Sequence, residues 1–474
     1  MDSNDFYNIL KKSFPFNPTL KQNIGLQLLS NFIFSEAASE LFVLKGYAGT
    51  GKTTIIGVLV KNLWHVKKTA VLLAPTGRAA KVISNYSKSD AFTIHKKIYS
   101  PRAEKNGKIS FILAPNKHKK TLFIVDEASM ISDVSNQAKL FGSGSLLDDL
   151  IQYVYSGQQC KLLLIGDTAQ LPPVKLDLSP ALNESNLELN YNKEVIRLEL
   201  DEVVRQEESS GILFNATNLR EAVSNSYFDS FQFNLKGFND IVSLIDGYEI
   251  LDAINDAYNT LGNEDTTLIV RSNKRANLYN EQIRSRILFN ENELSSGDFL
   301  MIVKNNYFWL KPTSEAGFIA NGDIIEVLEI FSIRELYEFR FAEVKIRMVD
   351  YPKMRPFETV LMLDTIKLET PSLPYEESNK LYQEILKDFE DESSSYKKFL
   401  GVKKSKYLNS LQVKFSYAIT CHKSQGGQWD TVFVEQPYLP NGIDRDYLRW
   451  LYTAITRAKE KLYLIGFKDD FFED

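Results

Sequence analysis

LFVLKGYAGTGKTTIIGVLVKNLW, residues 41–64, is the stretch on which the fold turns. An apolar run leads into a glycine-rich turn, and the turn opens a segment whose apolar residues fall at helical spacing. Strand, turn and helix frame the pattern G-x-x-x-x-G-K-[ST], met from Gly46 to Thr53. A bound phosphate explains each residue type. Gly46, Gly49 and Gly51 let backbone N–H groups approach an anion with no Cβ in the way, and the helix that follows turns its positive end to the same place. Lys52 reaches the β- and γ-phosphates, and the Thr53 hydroxyl is a ligand for Mg²⁺. Ala48, Thr50 and Thr54 complete the nucleotide-binding turn. An α/β fold follows, with ATP and Mg²⁺ as the cofactors.

A phosphate loop of this kind needs a carboxylate at the end of a neighbouring buried strand. TLFIVDEASM supplies two. Asp126 would hold the metal through water, and Glu127 would orient and deprotonate the attacking water. Farther on, CKLLLIGDTAQLPPV is a strand followed by Gln170, placed to sense a γ-phosphate. Between these lies AVLLAPTGRAAKVI, where Pro75 and Thr76 end a strand, and a hydroxyl with helix N–H groups suits a phosphate. In the last part of the chain, DYLRWLYTAITRAKEKLYLIG is a helix patterned for burial by Leu448, Leu451, Tyr452 and Ile455. Arg457 beside that stripe is a candidate arginine finger across an interface.

The chain has 474 residues, 44% apolar and 25% charged, which suggests a globular protein of several domains. No apolar run reaches the ~18 residues of a membrane span, so no membrane partner is expected. The N-terminus has no signal-peptide layout, and two cysteines form no disulfide framework, which together suit a cytoplasmic location. Four scattered histidines do not assemble a zinc ligand set. The net charge of −5 hides an uneven distribution. Residues 41–125 carry 16 Lys and Arg against two acids, residues 393–429 carry seven lysines and no acid, and the rest sums to −26. Each basic block holds one Thr-x-His-Lys, at 93–96 and at 420–423. Two acid-poor blocks in an acidic chain suggest a track for nucleic acid. Within the first block, two short strands around EKNGK are expected to form a hairpin turning on Asn-Gly, with Tyr99 and Phe111 free to stack on bases.

Taken in order, GYAGTGKT, APTGRAA, TIHK, VDEASM, GDTAQLPPV, VVRQ, TCHKSQGGQWD and YTAITRAK resemble the motifs of superfamily 1B helicases, in particular the RecD-like and Dda-type 5′→3′ DNA helicases. The resemblance implies two RecA-like domains and assigns residues by position. Gln22 would read adenine. Arg205 and Arg457 would reach the γ-phosphate from the far side of the cleft. Gln425 and Gln428 would link nucleotide to strand, although many relatives carry Glu at the position of Gln428. Thr76, Thr93, His95, Asn273, Thr420 and His422 match strand-contacting positions, and Lys423 completes the second grip.

The resulting plan has a first RecA-like domain at 1–205, with a hairpin wedge inserted at about 91–119. The second RecA-like domain is built from 206–296 and 413–474. Short alternating strands in 297–412 read as a small β-barrel, which the resemblance makes Src-homology-3-like and places over the strand. The acidic segment 375–392 is left for packing or a protein partner. Expected partners are single-stranded DNA and forks, with the protein acting as a monomer. Three functional readings stay open: an ATP-driven 5′→3′ helicase, a single-strand DNA or RNA translocase that does not unwind, and an ATP-gated single-strand switch.

Overall fold

Two all-parallel sheets and a closed barrel organise the chain in the computed structural model. The description covers all residues except 104–108, 133–140, 203–209, 226–227, 229–230, 312 and 474, and omits the side chains of 101, 103, 109 and 110. The first sheet runs Ala91–Thr93, Thr69–Ala74, Thr121–Val125, Lys161–Gly166, Glu40–Gly46 and Glu194–Leu200 in spatial order. Its central strands are buried along their whole length, which is why TLFIV and KLLLIG read as unbroken apolar runs. Helices cover both faces and divide the core in two. One side packs the N-terminal helices and the helix Lys52–Asn62, while the other packs Leu146–Tyr155 and the hairpin base.

The second sheet runs Ala418–Thr420, Thr266–Val270, Trp429–Glu435, Ala458–Ile465 and Ile241–Leu244. Between Thr266–Val270 and Ala418–Thr420 the chain leaves to build the barrel from Phe299–Ile302, Ile324–Leu336, Phe339–Met348, Phe357–Met362 and Leu411–Phe415. The fifth strand closes the barrel by pairing antiparallel with the first and parallel with the fourth, and it runs past residue 412. A buried ion pair roots the barrel in the second lobe. Arg284, on the helix Asn273–Arg286, donates to both carboxylate oxygens of Asp298 at 2.9 and 2.8 Å. The Tyr417 hydroxyl and the Ser295 N–H donate to the same carboxylate, and the guanidinium lies over Phe415. Removing either partner would leave an uncompensated buried charge, a loss of about 3–5 kcal/mol.

The acidic stretch forms the helix Tyr375–Lys387, returned by Ser395–Lys404, and Leu381, Ile385 and Val402 seat the pair on the barrel. The expected hairpin is present as Tyr99–Ala103 paired antiparallel with Ile109–Leu113; its Asn-Gly turn lies outside the described residues. Among the described residues no helix is long and apolar enough to cross a membrane.

Candidate nucleotide cleft and strand track

The strand Glu40–Gly46 delivers the phosphate loop to the edge of the first lobe, and the helix Lys52–Asn62 begins directly behind it. Gly49 and Gly51 adopt left-handed backbone at φ 76° and 84°, a region that a side chain would strain. A Cβ on Gly46 would meet Thr50 Oγ1 at 2.9 Å and Lys52 Cγ at 3.1 Å, so glycine is required there by contact as well. Lys52 Nζ donates to the carbonyls of Gly46 and Tyr47 at 2.5 and 2.7 Å, which holds the ammonium over the loop. Gln22, only 2% exposed, caps its own helix by accepting from Thr19 N and donates from Nε2 to the Thr50 carbonyl at 3.0 Å. Its amide therefore braces the loop, whatever it contributes to base recognition.

Asp126 and Glu127 follow the strand Thr121–Val125. Asp126 accepts from the Tyr86 hydroxyl at 2.7 Å and from the Glu127 N–H at 2.9 Å. Each carboxylate oxygen keeps a lone pair, and with the Thr53 hydroxyl this hard-oxygen set suits a water-bridged Mg²⁺. Glu127 is held in left-handed backbone at φ 54°, strain that persists because the strand end and the turn Ala128–Met130 fix it. Burial pushes its carboxyl above the ordinary range; Arg457 and Lys52 draw it down, while Asp126 and Asp167 push it up. A carboxylate raised toward neutrality is a better proton acceptor than an exposed glutamate. Gln170 is buried, and its Oε1 has no partner.

The second lobe closes the cleft with one face of the helix Arg445–Ile455 and the residues just after it. Arg449 Nη1 donates to the Asp177 carbonyl at 2.8 Å, and Thr453 Oγ1 accepts from Leu171 N at 2.8 Å. The Tyr452 hydroxyl donates to Asp167 Oδ2 at 2.7 Å and accepts from Ala48 N at 2.9 Å. Arg457, buried and tied to the Thr453 and Gly427 carbonyls, brings Nη1 to 4.0 Å from Glu127 Oε1. Arg449, Tyr452 and Thr453 share one face of that helix, and Arg457 follows two residues past its end. Gln425 also turns toward the first lobe, donating to the Leu171 carbonyl at 2.6 Å. Gln428 is exposed. Arg205 lies outside the described residues.

The two Thr-x-His-Lys pieces occupy matching places. Ala91–Thr93 and Ala418–Thr420 are each the edge strand of their sheet, and each ends in a short helix carrying His and Lys, Ile94–Ile98 and Cys421–Ser424. Thr93 pairs with Ala74, next to Pro75 and Thr76; Thr420 pairs with Val270, three residues before Asn273. Thr76 and Thr93 accept from the N–H groups of Ala79 and Lys96, which leaves each hydroxyl hydrogen to donate to a phosphate oxygen. Asn273 donates to the Glu369 carbonyl. Both lysines reach one barrel loop: Lys96 Nζ donates to the Ser314 carbonyl at 2.7 Å, and Lys423 Nζ donates to the Asn321 side chain. Burial and the Lys414 charge draw Lys423 down to about 8, and burial lowers Lys96 and Lys97 as well.

The expectation that Tyr99 and Phe111 stand free beside the hairpin is corrected. Tyr99 is 8% exposed and its hydroxyl donates to Asp149 at 2.6 Å. Phe111 stacks on Phe141 at 4.8 Å and meets Tyr307 at 4.9 Å. With His95 and Phe318 these rings form a cluster between hairpin and barrel. Large apolar rings beside a second domain are removed from water rather than offered to it. The sequence reading also missed Tyr86, and it took Tyr452 for a core residue. A tyrosine in a buried stripe carries a hydroxyl that must find partners, and that was the available signal.

Two parallel-sheet lobes sharing a cleft, one bearing the phosphate loop and the other an arginine, define a RecA-like P-loop ATPase. Residues 415–465 match the family model described as UvrD-like helicase C-terminal domain, and residues 31–230 match one described as AAA domain. The chain is 25% identical over 454 residues to the ATP-dependent DNA helicase dda of Enterobacteria phage T4, covering 89% of this chain and 93% of that protein. It is 33% identical over 143 residues to the ATP-dependent RecD2 DNA helicase of Deinococcus radiodurans, 30% of this chain and 17% of that one. A solved Pif1 helicase from Bacteroides, in complex with ADP-AlF3 and ssDNA, is 15% identical and matches 94% of this chain and 93% of its own with a TM-score of 0.46. These likenesses support a superfamily 1B helicase.

Proposed function

We propose that this ATP-hydrolysing DNA helicase moves 5′→3′ on a single strand and separates the duplex ahead of it. The direction rests on the resemblance to Dda-type helicases, and one observation carries movement along a strand: each lobe ends its edge strand in the same Thr-x-His-Lys turn, with the nucleotide cleft between the lobes. One grip only holds. Two grips on bodies that approach and part can pass a strand along, provided each is tighter in turn. Lys52 holds the β- and γ-phosphates and Glu127 accepts the proton of the attacking water. Arg457 and Gln170 meet the γ-phosphate as the lobes close. Thr53 and Asp126 would hold Mg²⁺, which neutralises phosphate charge when bound. Thr76, Thr93 and His95 form the grip of the first lobe; Asn273, Thr420, His422 and Lys423 form that of the second. Opening an average base-pair step needs about 1.4 kcal/mol, within reach of ATP turnover divided over a step.

Polarity and unwinding are tested together with partial duplexes bearing either a 5′ or a 3′ single-stranded tail, with ATP and Mg²⁺. Opening of the 5′-tailed substrate alone is the expected result. Opening of the 3′-tailed one alone would overturn the direction. Strand-stimulated ATPase with neither substrate opened would favour translocation without unwinding.

A further inference from the structure

Tyr452 has a role that the arginine finger and the phosphate loop do not cover. Its ring is fully enclosed at 1% exposure, yet its hydroxyl lies between two polar groups of the opposite lobe. It accepts from Ala48 N, on the rim of the phosphate loop, and donates to Asp167, at the end of the strand Lys161–Gly166. Asp167 is itself 1% exposed, and its other oxygen accepts from Ala169 N at 2.9 Å, so the carboxylate shapes the turn that presents Gln170. Beyond Gln170 the turn is gripped again from the second lobe, where Leu171 donates to Thr453 and accepts from Gln425. Burial, together with the Asp167 charge, raises the Tyr452 hydroxyl well above its ordinary value, so it stays a proton donor toward Asp167.

We propose that Tyr452 is the positioning residue that locks the closed cleft. Its hydroxyl ties the loop rim to Asp167 across the lobe boundary, so that nucleotide binding on one lobe and the placement of Gln170 and Arg457 become a single event. The proposal rests on the two-lobed ATPase reading above. A phenylalanine keeps the packing of the ring and removes both hydrogen bonds, one of them to a charged group. Their loss shifts the closed-to-open ratio about tenfold toward open.

The experiment reads closure directly, without DNA. Donor and acceptor dyes are placed on Lys61→Cys in the first lobe and Asp256→Cys in the second; both positions are exposed, while Cys160 and Cys421 are buried. Energy transfer is followed while a non-hydrolysable ATP analogue with Mg²⁺ is added, and binding of the analogue is measured separately. The labelled parent protein closes on the analogue; if it does not, the two-lobe motor reading fails. Tyr452→Phe is expected to bind the analogue but, at saturation, to show a closed-to-open ratio about tenfold lower. Asp167→Ala gives the same deficit, and the double variant adds little to either. Closure of Tyr452→Phe equal to that of the parent overturns the proposal and leaves the motor standing. Deficits that simply multiply in the double variant overturn it too, since they would show two independent packing defects. Should Tyr452→Phe melt below the assay temperature, Asp167→Asn is read in its place by the same criteria.

Discussion

The two Thr-x-His-Lys turns share a sequence pattern and a position in the sheet, yet differ in what surrounds them. In the first, Thr93 caps the following helix, and His95 packs among Tyr99, Phe141 and Phe318. Burial lowers that imidazole to about 4, so it is neutral at physiological pH. In the second, Thr420 makes no side-chain cap, and the His422 imidazole is lowered by desolvation first and then by the charges of Arg271 and Lys423 beside it. Rings on three sides hold the first turn in one geometry. In the second, His422 stands exposed while Lys423 is held by Asn321, so only part of the turn is fixed. In the motor proposed above, such turns would make one stiff and one adaptable grip, an unequal pair that ATP-driven closure need only reverse.

The strongest way to test this comparison is to remove the drive and leave the grips. Lys52→Ala is expected to lower ATP turnover by about two to three orders of magnitude, with or without strand, while single-strand affinity changes only a few-fold. Retained turnover would take the phosphate loop out of the mechanism.

The histidines should then fail differently. His95→Ala empties part of the ring cluster, and a loss of about 2–3 kcal/mol is expected in denaturant unfolding. His422→Ala removes a surface contact, with stability unchanged within about 0.5 kcal/mol. Its strand-stimulated turnover at subsaturating strand should fall about tenfold, and basal turnover much less. Equal loss of basal and stimulated turnover in His422→Ala would remove the second grip.

Titration sharpens the contrast further. A histidine held at about 4 in the fold, against about 6.5 when unfolded, binds its proton more weakly in the native state. The unfolded chain therefore takes up more protons between those values. This contribution to stability is full above pH 6.5 and is lost as the pH falls toward 4. It amounts to at most about 3 kcal/mol, less whatever water at the exposed edge of the ring screens. Melting temperature should fall between pH 7 and 5, and less steeply in His95→Phe. The smallest effect belongs to Lys423. Set near 8, its ammonium is charged at pH 7 and neutral at pH 9, so single-strand affinity should drop a few-fold over that interval. Lys423→Arg, which stays charged, should flatten the drop.

Much of the site was legible because each element is local. The phosphate loop, Asp126, Glu127 and Gln170 sit at the ends of strands whose apolar runs mark them, and the structure brings Glu127 within reach of Arg457. The barrel was legible from four of its strands; its closing strand Leu411–Phe415 alternates as well, but it is short and lies far along the chain from the others, so only its pairing with Phe299–Ile302 and Phe357–Met362 assigns it to the barrel. Tyr99 and Phe111 misled because a hairpin rich in lysine reads as exposed; Phe141 and Asp149 of the same lobe enclose Tyr99, and Phe141 with the barrel's Tyr307 and Phe318 encloses Phe111.

By itself the sequence determined the chemistry that depends on adjacency. Glycines that let amides turn inward, a lysine one residue beyond, and carboxylates at a strand end all follow from neighbours along the chain. Tertiary structure alone decided which lobe each polar tip would answer to. Tyr452, Thr453 and Gln425 bond to residues more than 250 positions away, and no periodicity encodes such a meeting. It also decided that two copies of one four-residue pattern would sit in unlike surroundings. Burial is a property of what packs against a residue, and the rings around His95 come from the hairpin, from the loop bearing Phe141 and from the barrel, none of which the pattern itself contains.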